Sequence, residues 1–333
     1  MAGFKDAQPL KKSAVAEPRN SNKGDNMNKE LYYKNLDVPC GRVDAILDTD
    51  AYNEIDDQFA IAYMLIKSDR INTLGICAAP FLNEKSASAA DGMKKSYDEI
   101  LKILTLMKRE DMKKNVYHGS ERFLPDEKTP VVSEAAEYIV SEARRHSPES
   151  PLYVVAIGAI TNVASAILID PVAMKENTVI VWLGGTAHSY PDTLEFNMRQ
   201  DVAAARVLFS CGAPIVQLPC QGVVSEFVTS GPELRHWLVG KNPLADYLAQ
   251  NAINNFEVED TAWRKVIWDV TAVAWLLNDN SRFMKSYVTK APLPEYDNTY
   301  SFPTTAPEIR YVYRIRCADL FTDLFKTICG ALF

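Results

Sequence analysis

Unbroken apolar runs constrain this chain most. Residues 152–157 (Leu-Tyr-Val-Val-Ala-Ile) and 178–183 (Thr-Val-Ile-Val-Trp-Leu) show no polar alternation, so both faces of each strand must be covered. Similar runs at 43–49, 71–79 and 214–218 also read as strands. Between them lie segments of helical period: 56–67, 84–107, a helix capped by Ser133, one running through Leu168, and 202–209 capped by Asp201. Such alternation predicts a single α/β domain with a mainly parallel central sheet, flanked by helices through right-handed crossovers. After residue 225 the chain reads as mostly helical, at 231–239, 243–256 and 264–278. A late strand, 309–315, and a closing helix, 318–332, follow. Ligands of such folds lie outside the carboxyl ends of the strands.

One of those ends carries an unusual charge density. Strand 43–49 runs into Asp48 and Asp50, which point to the same side of an extended chain. Glu54, Asp56 and Asp57 follow, and Asp57 leads into the apolar helix Phe59 to Ile66. Acids suit a helix N-terminus, so Asp56 can act as a cap. Capping accounts for one or two acids, not five within ten residues. Without a cation they would repel and raise one another's pKa values. Because the ligands on offer are oxygens, a hard cation is expected, Ca²⁺ ahead of Mg²⁺.

The order Asp48-Thr-Asp50…Ile-Asp56-Asp57 resembles the amino-terminal signature of the nucleoside hydrolases, the inosine–uridine-preferring family, whose usual form is Asp-x-Asp-Pro-Gly-x-Asp-Asp. Here two residues are added, and Ala51 to Glu54 replaces Pro-Gly. Gly158-Ala-Ile-Thr-Asn162 looks like the family's Gly-Pro-Leu-Thr-Asn block, although a capped strand-to-helix turn would use the same residue types. Glu195-Phe-Asn197 after Gly184-Gly185 resembles its ribose-binding loop. Trp268-Asp269, read as part of an apolar helix, matches its last metal aspartate. Four motifs in the family's order span residues 43 to about 280.

The resemblance implies a Rossmann-like core and a metal-dependent N-ribohydrolase. Its metal ligands would be Asp50, Asp57, Asp269 and the backbone oxygen of Ile157. Asp50 would double as general base towards water. Asp56, Asn83, Glu195 and Asn197 would hold the ribose. The family often has histidine where Trp268 stands; tryptophan resembles its purine-selective branch, where it stacks on the base. Protonation of the leaving base would then be eased by that stacking, or supplied by His188. The family's asparagine about six residues before the glutamate has no counterpart in His188 to Asp192. A dimer or tetramer is expected.

Two rival readings compete with this one. Clustered aspartates also serve metal-dependent phosphatases, but residues 48–60 lack the lysine and phosphate-cradling glycines expected there. A non-catalytic nucleoside-binding homologue would have no need of Asp50, Asp56, Asp57 and Asp269 together.

Charge and composition narrow the partners. The net charge of −7 and pI near 5.3 argue against nucleic acid or an anionic membrane as partner, leaving a small ribonucleoside. No apolar run approaches the ~18 residues of a membrane span. The six cysteines follow no framework spacing, and Cys77, Cys220 and Cys317 lie in or beside apolar runs. Reduced thiols and a cytoplasmic setting are therefore expected. The four histidines offer no zinc spacing. Residues 1–30 lack periodicity and read as a disordered tail before the 31–333 domain.

Overall fold

A computed structural model describes residues 28–258 and 261–331. Its centre is an eight-stranded sheet: β1 (Val43–Thr49), β2 (Ile71–Ala78), β3 (Val116–Tyr117), β4 (Leu152–Ala156), β5 (Thr178–Leu183), β6 (Ile215–Leu218), β7 (Met284–Lys290) and β8 (Glu308–Ile315). Their spatial order is β3-β2-β1-β4-β5-β6-β8-β7, all parallel except β7, which runs antiparallel to β8 at one edge. The expected mainly parallel sheet is present.

The helices follow the predicted alternation: α1 (Lys29–Leu36), α2 (Asp56–Ile66), α3 (Ala89–Leu106), α4 (Glu134–Ala143), α5 (Thr161–Ile169), α6 (Pro171–Asn177), α7 (Phe196–Gln200), α8 (Val202–Ser210), α9 (Gly231–Trp237), α10 (Pro243–Phe256), α11 (Val270–Trp275) and α12 (Cys317–Gly330). Ser133 caps α4 and Asp201 caps α8, as their residue types dictate. The two faces of the sheet bury separate cores. Ala45 and Leu47 pack among α2, α3, α11 and α12, while Ile46 faces the side of α4, α5 and α8. That division is the period of two along a strand, and it explains why the central strands carry no polar face.

Several boundaries differ from expectation. The helix expected at 84–107 begins only at Ala89, where Ser88 accepts from the Asp91 amide at 3.1 Å. Residues 264–278 are not one helix. Lys265–Val266 pair antiparallel with Val228–Thr229, and the Ile267 amide donates to the Phe227 carbonyl at 2.9 Å. With those backbone groups spent across strands, the helix starts at Val270 and Asp269 stands at its N-cap. Strand β7 escaped the sequence reading because, as an edge strand, it is mostly half-exposed and polar. Of the expected tail, residues 1–27 lie outside the described residues, and Asn28 already caps α1. Among the described residues no helix is long and apolar enough to cross a membrane.

Chain order reverses beside β1: β2 and β3 lie to one side, β4, β5 and β6 to the other. Strands that part in this way leave a crevice at their carboxyl ends.

Candidate active site

The crevice is an open cleft of about 500 Å³. Asp50 enters it from the end of β1, Ile157 from the end of β4, and Leu183 from the end of β5. The opposite walls are Asn53, Glu54, Asp56 and Asp57 from the turn into α2, Glu195 to Asn197 opening α7, Cys220 and Gln221 after β6, and Trp268 with Asp269 before α11. Eight of the nine expected site residues thus meet in one place. Asn83 stands one step behind: its side-chain amide donates to Asn53 Oδ1 at 2.7 Å, and Asn53 faces the cleft.

Among the described residues six carboxylates line this space, and no lysine or arginine does. Carboxylate oxygens of Asp56, Asp57 and Asp269 come within 4.8 Å of one another, all three buried. Asp50 lies in the same cleft outside that tightest group, with its Oδ2 buried and unpartnered. Asp56 Oδ1 is likewise unpartnered by any hydrogen bond, and the N-cap of α2 is Ile55 without a side-chain bond. Asp56 is therefore no helix cap.

Burial, and then the charge of neighbouring acids, pushes the carboxyls of Asp50 and Asp269 well above the ordinary range. Asp57 rises to about 7 for the same reasons, although the Thr49 hydroxyl, 2.5 Å away, favours its ionised form. Asp48 also reaches about 7 through burial, but does not line the cleft; Asn162 donates to it at 2.8 Å. Unpartnered buried oxygens and mutual repulsion are what a bound cation would relieve. An all-oxygen donor set fits a hard divalent ion.

The loop that opens α7 is locked from within. Glu195 accepts from the backbone amides of Gly185 (2.7 Å), Asn197 (2.9 Å) and Met198 (3.0 Å). Asn197 donates its amide to two strand-end carbonyls, Ile157 at 3.2 Å and Leu183 at 3.0 Å. The Ile157 oxygen is free of the sheet ladder, as expected, but it is shared with Asn197. Glycine is required at 158, where a Cβ would sit 2.9 Å from Asp50 Oδ1.

Two aromatic side chains, Trp268 and Phe196, line the cleft. Phe196 escaped notice because it lies between the polar residues that drew attention. Phe81 is fully buried, Tyr52 lines a neighbouring groove, and Tyr190 packs against Gly222. His188 does not reach the cleft. Its Nε2 pairs with Gln217 Oε1 at 2.9 Å, its ring lies 4.1 Å from that of Tyr311, and burial lowers its pKa. Lys265 was also missed. Its ammonium is ion-paired with Glu54 and lies 3.4 Å from Asp56 Oδ1. Only the pairing of 265–266 with 228–229 delivers it there.

A family model described as inosine-uridine preferring nucleoside hydrolase matches residues 45–309. A probable uridine nucleosidase of Arabidopsis thaliana is 30% identical over 135 residues, 40% of this chain and 41% of that protein's length. A plant nucleoside hydrolase structure superposes with a TM-score of 0.67 at 17% identity, covering 86% of this chain and 99% of that one. A purine-preferring ribonucleoside hydrolase from Gardnerella vaginalis gives 0.64 at 18%, covering 86% and 98%. At such identities the structural matches establish the fold alone.

Proposed function

Because the chain belongs to the inosine-uridine preferring nucleoside hydrolase family, the N-ribohydrolases, we propose that it cleaves the N-glycosidic bond of ribonucleosides, purine ones in preference, with a divalent cation, Ca²⁺ ahead of Mg²⁺. The observation that carries this reading is the convergence of four buried aspartates, two of them with unpartnered oxygens, at the carboxyl ends of β1 and β4.

In this reading Asp50, Asp57, Asp269 and the Ile157 carbonyl hold the cation. When bound, it would supply a Lewis acid that lowers the pKa of water. The unpartnered Oδ2 of Asp50 accepts a proton from the water that attacks the anomeric carbon. The Thr49 hydroxyl orients Asp57 and favours its ionised form. Asp56 grips the sugar hydroxyls, while Asn197 and Asn53, the latter braced by Asn83, fix the ring's orientation. Glu195 holds the loop rigid through its three backbone bonds. Surrounding carboxylates stabilise the positive charge that develops on the ribosyl group. With His188 outside the cleft, the departing base is left to stack on Trp268.

A ribose-release assay with inosine, adenosine and uridine, with and without chelator, tests the reaction. Chelator-sensitive release of ribose is expected. A chain that binds these nucleosides without cleaving them would instead be a sensor, and one that releases phosphate from a phosphomonoester a phosphatase.

Base preference rests on the indole. Base–aromatic stacking is worth about 1–3 kcal/mol, and a purine covers more of the ring than a pyrimidine. Trp268→Ala should therefore lower kcat/KM for inosine by about tenfold and for uridine by less. The uridine nucleosidase among the relatives marks the opposite outcome. A wild-type preference for uridine, or equal losses in the variant, would leave Trp268 as a wall residue only.

A further inference from the structure

Lys265 is a buried cation beside the acidic cleft, paired with residues that line it. It is 5% exposed, and its ammonium is paired with Glu54 and lies 3.4 Å from Asp56 Oδ1. Its Nζ also lies over the Phe256 ring, 5.0 Å from the centroid. Among the described residues no other lysine or arginine comes within salt-bridge distance of Asp50, Asp56, Asp57 or Asp269. Glu54, its other partner, comes from the lengthened loop 51–54. The extra loop and the lysine thus form one unit.

Oxygens of Asp56, Asp57 and Asp269 all lie within 4.8 Å of one another and all three residues are buried, so this grouping does not decide which of them faces a cation. Charge does. A carboxylate with an ammonium at 3.4 Å has much of its field cancelled, whereas among the described residues neither Asp57 nor Asp269 has a lysine or arginine within salt-bridge distance. Building on the function proposed above, we propose that Lys265 is a positioning residue that withdraws Asp56 from the cation set and holds it for the sugar hydroxyls. Asp57 and Asp269 are left to the cation. Glu54 in turn keeps the ammonium from approaching Asp57. The lysine sorts chemically identical acids into two tasks by proximity alone.

Ca²⁺ titration by calorimetry, without nucleoside, reads the first task, and inosine kinetics read the second. Removing a unit charge this near the cluster in Lys265→Met should tighten Ca²⁺ binding by about tenfold. KM for inosine should rise by about tenfold while kcat stays within about threefold, as for loss of one charge-assisted hydrogen bond in the ground state and transition state alike. Lys265→Arg should restore both values. If the methionine variant fails to fold, Lys265→Gln keeps a hydrogen-bonding side chain at that place, removes the same single positive charge and carries the same expectations. Unchanged or weakened Ca²⁺ binding in a folded variant would overturn the proposal, as would a fall in kcat with KM unmoved. Should the wild type cleave no nucleoside, the proposed activity fails, yet the calorimetry still decides the role of Lys265.

Discussion

Asp50→Asn is expected to lower kcat for inosine at least about 100-fold, the low end for removal of a general base, while leaving the fold intact. The carboxylate is fully desolvated, and its Oδ2 has no partner within the protein. Asparagine is nearly isosteric and removes the negative charge, so burial favours the variant while chemistry loses its proton acceptor. With divalent ions removed, its thermal midpoint should equal or exceed that of the wild type, because burial and the charge of Asp57 both disfavour the native carboxylate. Near-normal turnover in the folded variant would assign the proton to another group. Loss of activity together with loss of the folded state would make Asp50 a structural residue. The steady-state rate and the melting curve must therefore be measured on the same preparation.

Removal of divalent ions should have a still larger effect. A Lewis acid contributes several kcal/mol of transition-state stabilisation, so chelation should reduce ribose release by roughly 1,000-fold or more. Added Ca²⁺ should restore it. The same treatment should lower the melting temperature, because an ion bound only by the folded state stabilises it by mass action. The physical source of that coupling is visible in the cleft. Burial first, and then the charge of neighbouring acids, raises the pKa values of Asp50, Asp57 and Asp269, and among the described residues the ion pairs of Lys265 go to Glu54 and Asp56. Turnover that survives exhaustive chelation would remove the cation from the reaction and leave the acids as sugar ligands.

The sequence by itself determined the strands and the acids at their ends. Unbroken apolar runs such as 152–157 leave no polar face, so a parallel sheet covered on both sides was the remaining solution, and it is what forms. Asp48, Asp50, Asp56 and Asp57 were legible because so many charges at one strand-to-helix junction conflict with local propensity. Recognition of the family signature added Asp269, Glu195 and Asn197, all of which line the cleft.

Tertiary structure alone decided how these groups are partnered. Asn197 spends its amide on the carbonyls of Ile157 and Leu183, and Glu195 spends its oxygens on three backbone amides. Nothing local encodes either choice, because the partners come from different strands. His188 has a chemistry that suggested catalysis, yet packing against Tyr311 and Gln217 removes it from the cleft. Lys265 shows the reverse. An apolar stretch around Trp268 reads as a continuous helix, and a helix would not set the lysine beside Glu54. Cross-strand bonds to Val228 and Thr229 outcompete helical ones there, delay α11 to Val270, and bring one ammonium to the acids. Hydrophobic period fixes which elements form, because it acts within one segment. The charge balance of the site arises between segments, and only their packing sets it.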